Sequence, residues 1–204
     1  FLSAYVNPHF PLGVAILLIL VDPISLQQVS SAKIHIWVFV KNWFLTILLT
    51  MMMPFGSLLA FVLNGAIILK RVFRGEVVPK KLYGDVHFYR LLGIALGAGP
   101  LLFYYWIVIY NDPWLAGWNI QNKTPSPPLY DLVISLSPAV FLALPTIKKV
   151  ITRRDQHWWF LFWWALIGIS LIYIPFGLQR RFMLGLYIPL AGLAGIALGD
   201  ILSK

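Results

Sequence analysis

Seven apolar stretches recur along the chain, at residues 10–21, 36–53, 55–73, 88–110, 129–151, 158–175 and 182–202, with short polar gaps between them. Most approach the roughly 20 residues needed to cross the hydrocarbon core of a bilayer. Apolar residues make up 60% of the 204, and charged residues only 11%, against about 25% in a soluble domain. A soluble globule is excluded. In lipid every backbone N–H and C=O needs a partner within the chain, so a spanning segment must be a helix or part of a closed barrel. These runs lack the alternation of polar and apolar residues that a barrel strand requires. The expectation is an all-α polytopic transmembrane helical bundle of about six to seven membrane helices, forming a single membrane domain over residues 1–204. At about 12 residues the first stretch falls short of a full span, and reads as re-entrant, interfacial or continued by polar residues. Pro100, Pro138, Pro145 and Pro189 lie inside stretches, where neighbouring helices can accommodate kinks.

The net charge of +9 could suggest nucleic acid, but the 16 cations lie in clusters between apolar runs. Topology accounts for them better. If the gaps alternate sides, Lys33, Lys41, Lys70, Arg71, Arg74, Lys80, Lys81, Arg90, Lys148, Lys149, Arg153, Arg154 and Lys204 share one face, and Lys123, Arg180 and Arg181 take the other. The positive-inside rule makes the rich face cytoplasmic, with the C-terminus on that side and residues 1–9, 111–128 and 176–181 outside. The chain has no Cys, which excludes disulfides, thiolate metal sites and a thiol nucleophile. It opens on Phe1 with no basic segment and cleavage site, and reads as a piece of something longer.

No hydrolase elbow, phosphate-binding glycine loop, zinc-helix motif or dinucleotide fingerprint is present. His35, His87 and His157 fall near inner boundaries and read as solvated interface residues. Three outer-face features stand apart. Residues 111–128 hold Trp114, Trp118, four amide side chains and four Pro. Trp118 with Asn119, Gln121 and Asn122 suits stacking on a sugar ring and hydrogen bonding to its hydroxyls, although a connector lying on the membrane surface reads equally well. Asp112, just before Pro113, reads as a turn or cap residue. Arg180 and Arg181, after Gln179, interrupt apolar sequence on the cation-poor side, where a planar guanidinium fork suits a lipid phosphate, or simply snorkels to headgroups. Asn7 and His9 sit at the outer end of the first stretch, where His9 could donate, ligate or act as a base.

Together Asn7-Pro-His-Phe-Pro11, the loop Trp118-Asn-Ile-Gln-Asn-Lys-Thr-Pro-Ser-Pro-Pro128 after a Tyr-rich helix, and Pro175-Phe-Gly-Leu-Gln-Arg-Arg-Phe182 resemble bacterial polytopic proteins related to the GT-C glycosyltransferases. The resemblance implies transfer of a sugar from a polyprenyl-phosphate donor at the outer face of the bacterial cytoplasmic membrane. It also implies an acidic residue in the first outer loop, often with a divalent metal. No carboxylate precedes Asp22, so the implied catalytic residue and most metal ligands lie outside this chain, which corresponds to the part downstream of the first outer loop. The implied partners are membrane lipid and the polyprenyl-linked sugar, with no nucleic acid. The competing expectation is a non-catalytic polytopic membrane subunit or transporter-like module.

Overall fold

A computed structural model describes residues 9–22, 32–121, 123, 125–153, 156–175 and 179–203. All regular structure among them is helical, and the chain divides into two compact units, Phe1–Gln121 and Asn122–Lys204.

The first unit contains α1 (His9–Val21), α2 (Ala32–Met52), α3 (Pro54–Phe73), a 3-10 turn at Pro79–Gly84, α4 (Val86–Asn111) and α5 (Pro113–Gln121). Its tightest junction is α2 against α4. A Cβ on Gly93 would lie 2.7 Å from the Phe39 carbonyl oxygen, and one on Gly97 would lie 2.6 Å from that of Trp43. Only glycine lets the two backbones come this close, and the Gly93-x-x-x-Gly97 spacing puts both on one helix face. Asn42, Thr46 and Thr50, four residues apart and all fully buried, form a stripe on α2 that includes the neighbours of both glycines. Asn42 Nδ2 donates to Val38 O at 2.6 Å and Thr50 Oγ1 to Thr46 O at 2.7 Å, so part of the stripe is bonded to its own helix. Met53 alone separates α2 from α3, and Pro54 occupies the first position of α3, where its missing N–H costs nothing.

α1 has 13 residues, about 20 Å at 1.5 Å per residue, against a hydrocarbon core of about 30 Å. Its last turn leaves carbonyls that need donors, and distant residues supply them. Asn64 Nδ2 on α3 donates to Leu20 O at 3.1 Å, and Arg90 Nη1 on α4 donates to Asp22 O at 2.7 Å. A cation at a helix C-terminus also opposes the helix dipole favourably.

The second unit contains α6 (Leu129–Leu136), α7 (Ala139–Arg153), α8 (Gln156–Tyr173), a 3-10 turn at Gln179–Gly185 and α9 (Tyr187–Leu202). α7 packs along α9, where Thr146 Oγ1 donates to Leu193 O at 3.0 Å and Lys149 pairs with Asp200. The segment before α6 is fastened to the end of α8: Ser126 Oγ donates to Ile172 O, and the Tyr173 hydroxyl donates to Pro127 O at 3.0 Å.

The seven stretches all fall on helices, but they are not seven full spans. Lys33–Met52, Pro54–Phe73, Val86–Asn111 and Gln179–Leu202 are long and apolar enough to cross a membrane. The stretch expected at 129–151 is a broken pair, α6 and the start of α7, bent by 94°. Pro138 sits at the break, and α6 ends at Leu136 with Ser137 N donating to Ile134 O. Including that pair gives up to five spans; α1 and the apolar part of α8 are shorter. The shortness of α1 follows the sequence expectation.

Candidate functional site

The segment 111–128, expected on the outer face, is not a loop throughout. Residues 113–121 form α5, with Asp112 as its N-cap: its Oδ1 accepts from Trp114 N at 2.8 Å and Leu115 N at 3.2 Å. The reading of Asp112 as a cap therefore holds, and with Pro113 at the first helical position it forms a standard helix start. Trp114, Trp118 and Gln121 fall at spacings of four and three, on one face, and all three are exposed; Asn119 is half-buried. Asn122 and Asn7 lie outside the described residues. His9 opens α1, exposed, with its ring 4.5 Å from that of Phe10.

Gln179, Arg180 and Arg181 share the 3-10 turn of the second unit. Arg180 is exposed and Arg181 half-buried. Gln179 is 9% exposed, and its Oε1 has no hydrogen-bond partner within the described structure. A buried acceptor without a donor costs about 1–3 kcal/mol, and in sequence this one directly precedes Arg180 and Arg181. Leu186, directly after the turn, is fully buried against Gly168 of α8, where a Cβ would lie 3.1 Å from Leu186 Cδ1.

The neighbouring residue, Ile169, belongs to the wall of a half-open pocket of about 250 Å3 lined by α6, α7, α8 and α9. All 14 lining residues are apolar, among them Leu132, Leu136, Ala143, Leu190 and Leu193. Leu190 lies one helical turn beyond Leu186, so the arginine turn leads through Leu186 into a helix that lines the pocket, while no residue of the turn itself is in the lining. The 94° bend between α6 and α7 places both helices in its wall. Sequence reasoning missed this cavity, because its residues look like any lipid-facing helix until their packing is known.

Two further buried groups were misread. His87, expected to be solvated, is 7% exposed, and its Nδ1 has no hydrogen-bond partner within the described structure. Its backbone N–H donates to Asp85 Oδ1 at 2.8 Å, making Asp85 the N-cap of α4, while Arg71 Nη2 lies 3.1 Å from Asp85 Oδ2. Arg90, which also reads as a boundary residue, is fully buried. His35 behaves more nearly as expected, half-buried and stacked on Tyr89 at 5.0 Å; the His157 side chain lies outside the described structure.

Among the described residues no three His, Asp or Glu side chains come together as a metal-holding group. The donor set for the divalent metal that the resemblance implies is therefore not assembled by them, and no step proposed below runs through one. Trp118, Asn119 and Gln121 belong to the first unit and Gln179, Arg180 and Arg181 to the second.

Comparison with known proteins gives no match: no family model, no curated protein and no solved structure aligns with this chain.

Proposed function

We propose that the chain is the membrane portion of a lipid-linked sugar transferase, taking a polyprenyl-phosphate sugar at the outer face of a bacterial cytoplasmic membrane. One observation supports the reading: within the second unit, the turn bearing Gln179, Arg180 and Arg181 leads into α9, whose Leu190 and Leu193 line a wholly apolar pocket. A lipid phosphate has the matching halves, an anion for the guanidinium forks and hydrocarbon for the chamber. The buried Gln179 Oε1 would accept from a hydroxyl on the head. The exposed face of α5, with Trp118 and Gln121, suits a sugar or an acceptor.

In the transfer, an acceptor oxygen bonds to the anomeric carbon as the bond from that carbon to the phosphate oxygen breaks. The acceptor's proton passes to a general base. Charge grows on the departing phosphate, and donors preorganised around it lower the barrier, with one such donor contributing about 3 kcal/mol by analogy with oxyanion holes.

The test is donor affinity, measured in nanodiscs on the full-length protein, for the wild type, Arg180→Gln/Arg181→Gln and Arg180→Lys/Arg181→Lys. The Gln pair is expected to bind at least about tenfold more weakly, since a hydrogen bond to a charged group contributes about 1.5–3 kcal/mol. The Lys pair should recover only part of the loss, because Lys keeps the charge and loses the fork. Equal affinity in all three overturns the phosphate site and leaves the arginines as headgroup anchors. The exposed Trp114 and Trp118 face of α5 favours the second reading, a non-catalytic membrane module that docks a partner there. Unchanged donor binding together with loss of a co-purifying subunit on Trp114→Ser/Trp118→Ser would select it.

A further inference from the structure

The connection between α3 and α4 carries a set of features that sugar transfer does not use. Residues 70–85 contain five cations, Lys70, Arg71, Arg74, Lys80 and Lys81, against two carboxylates, Glu76 and Asp85, an excess of three. Both carboxylates are engaged within the segment. Asp85 pairs with Arg71 at 3.1 Å, and Glu76 lies 4.0 Å from Arg71 and 3.8 Å from Arg74. The segment therefore carries a net charge of +3 by composition.

The backbone of the connection is set by local bonds. Gly75, at φ +71°, takes the left-handed conformation that glycine adopts without strain. Gly75 N donates to Val72 O at 3.0 Å and Glu76 N to Arg71 O at 3.0 Å, the paired bonds of a Schellman helix end. The 3-10 turn Pro79–Gly84 follows, closed by Asp85 N donating to Leu82 O at 3.0 Å. Apolar side chains stand out from this cationic frame: Phe73 is 87% exposed, Tyr83 73% and Val78 53%. The Tyr83 ring is held edge-on to Phe88 at 5.4 Å.

We infer that residues 70–85 form a docking surface for the headgroups of anionic phospholipids. Two observations favour lipid over an acidic soluble partner. The segment joins the ends of two candidate spans, Pro54–Phe73 and Val86–Asn111, which puts it at headgroup depth. The exposed rings beside the cations also match the aromatic and basic composition of an interfacial segment. Lys and Arg meet the lipid phosphates while Phe73 and Tyr83 enter the acyl boundary.

The experiment uses the purified chain in neutral detergent, offered phosphatidylglycerol and phosphatidylcholine with matched tails in equal amounts, with bound lipids counted by native mass spectrometry. The wild type is expected to retain phosphatidylglycerol in preference. Lys80→Gln and Lys81→Gln should each lower that preference by up to about fivefold, from about 1 kcal/mol per basic residue near an anionic surface. Lys123→Gln, outside the segment, should leave it unchanged. Phe73→Ser/Tyr83→Ser should reduce the amount of both lipids retained. Equal retention of the two lipids by the wild type overturns the inference, as does an undiminished preference in both Lys variants. Displacement of phosphatidylglycerol by millimolar glycerol phosphate also overturns it, since that would mark a site for soluble phosphate. Each Lys variant is read only where its helical circular dichroism and elution volume match the wild type; if neither folds, Lys80→Arg, which keeps the charge, must keep the preference or the inference fails.

Discussion

Asn42, Thr46, Thr50, Ser57, Asn64, His87 and Arg90 are buried in the first unit, whereas the second buries Thr146 and Gln179 among its described residues. The glycines differ in the same direction. Gly93 and Gly97 sit against backbone atoms of a neighbouring helix, while Gly195 and Gly199 of α9 have open space where a Cβ would stand. Helices in lipid gain little from apolar contact alone, because the tails they leave are as apolar as the partners they meet. Both units hydrogen-bond between helices, but the first also brings backbones together at small residues. The second buries large side chains such as Trp164 and Phe160, and α6, α7, α8 and α9 leave a half-open apolar pocket between them. One unit is built for close contact, and the other keeps room.

Arg90→Leu is the hardest blow to that contrast. It removes the charged donor to Asp22 O and leaves that carbonyl without it, for a loss of about 3 kcal/mol. Thermal unfolding followed by elution profile should show it clearly. Removing the corresponding bond of the second unit with Thr146→Val should cost only about 1 kcal/mol. Similar losses for the two would erase the distinction.

Gly93→Ala and Gly97→Ala come next, at about 1–3 kcal/mol each, because the clashing atoms are backbone and cannot turn away. Gly195→Ala should be neutral or stabilising by up to about 1 kcal/mol, from helix propensity alone. Equal thermal midpoints for all three would mean that the close crossing of α2 and α4 carries no special energy.

The smallest effect is expected from Ala143→Leu, which pushes three more carbons into the pocket. Stability in detergent should change by less than about 1 kcal/mol, as filling a void offsets local repacking. Affinity for a long-chain polyprenyl phosphate should fall, while that for a short-chain analogue stays level. A loss of the same size for both chain lengths would mean the cavity does not hold the tail.

What could be read from the sequence was what depends on neighbours along the chain. Apolar run length located the helices, and Asp112 before Pro113 marked a cap. Gly93-x-x-x-Gly97 was also open to reading, since the spacing alone announces a helix contact, and it went unnoticed within a longer apolar run. Arg90 was beyond reach. It lies two residues inside an apolar stretch, which reads as interface, and its acceptor at Asp22 is 68 positions away. The break at Pro138 was visible only as a tolerated kink, because proline inside a membrane helix does not state how far the chain turns. The arginine turn was noticed for its charge, while the pocket of the same unit is made of ordinary apolar residues and exists only through their packing.

The cap on α1 also has a consequence in time. A helix of this length does not span the hydrocarbon unaided, and the donors for its last carbonyls are carried by residues 64 and 90. During synthesis α1 therefore leaves the ribosome well before the groups that secure its C-terminal end exist. It must wait, at the membrane surface or beside the insertion machinery, until α3 and α4 have followed. A nascent chain halted before residue 90 should hold α1 loosely, and one halted after α4 should hold it fast.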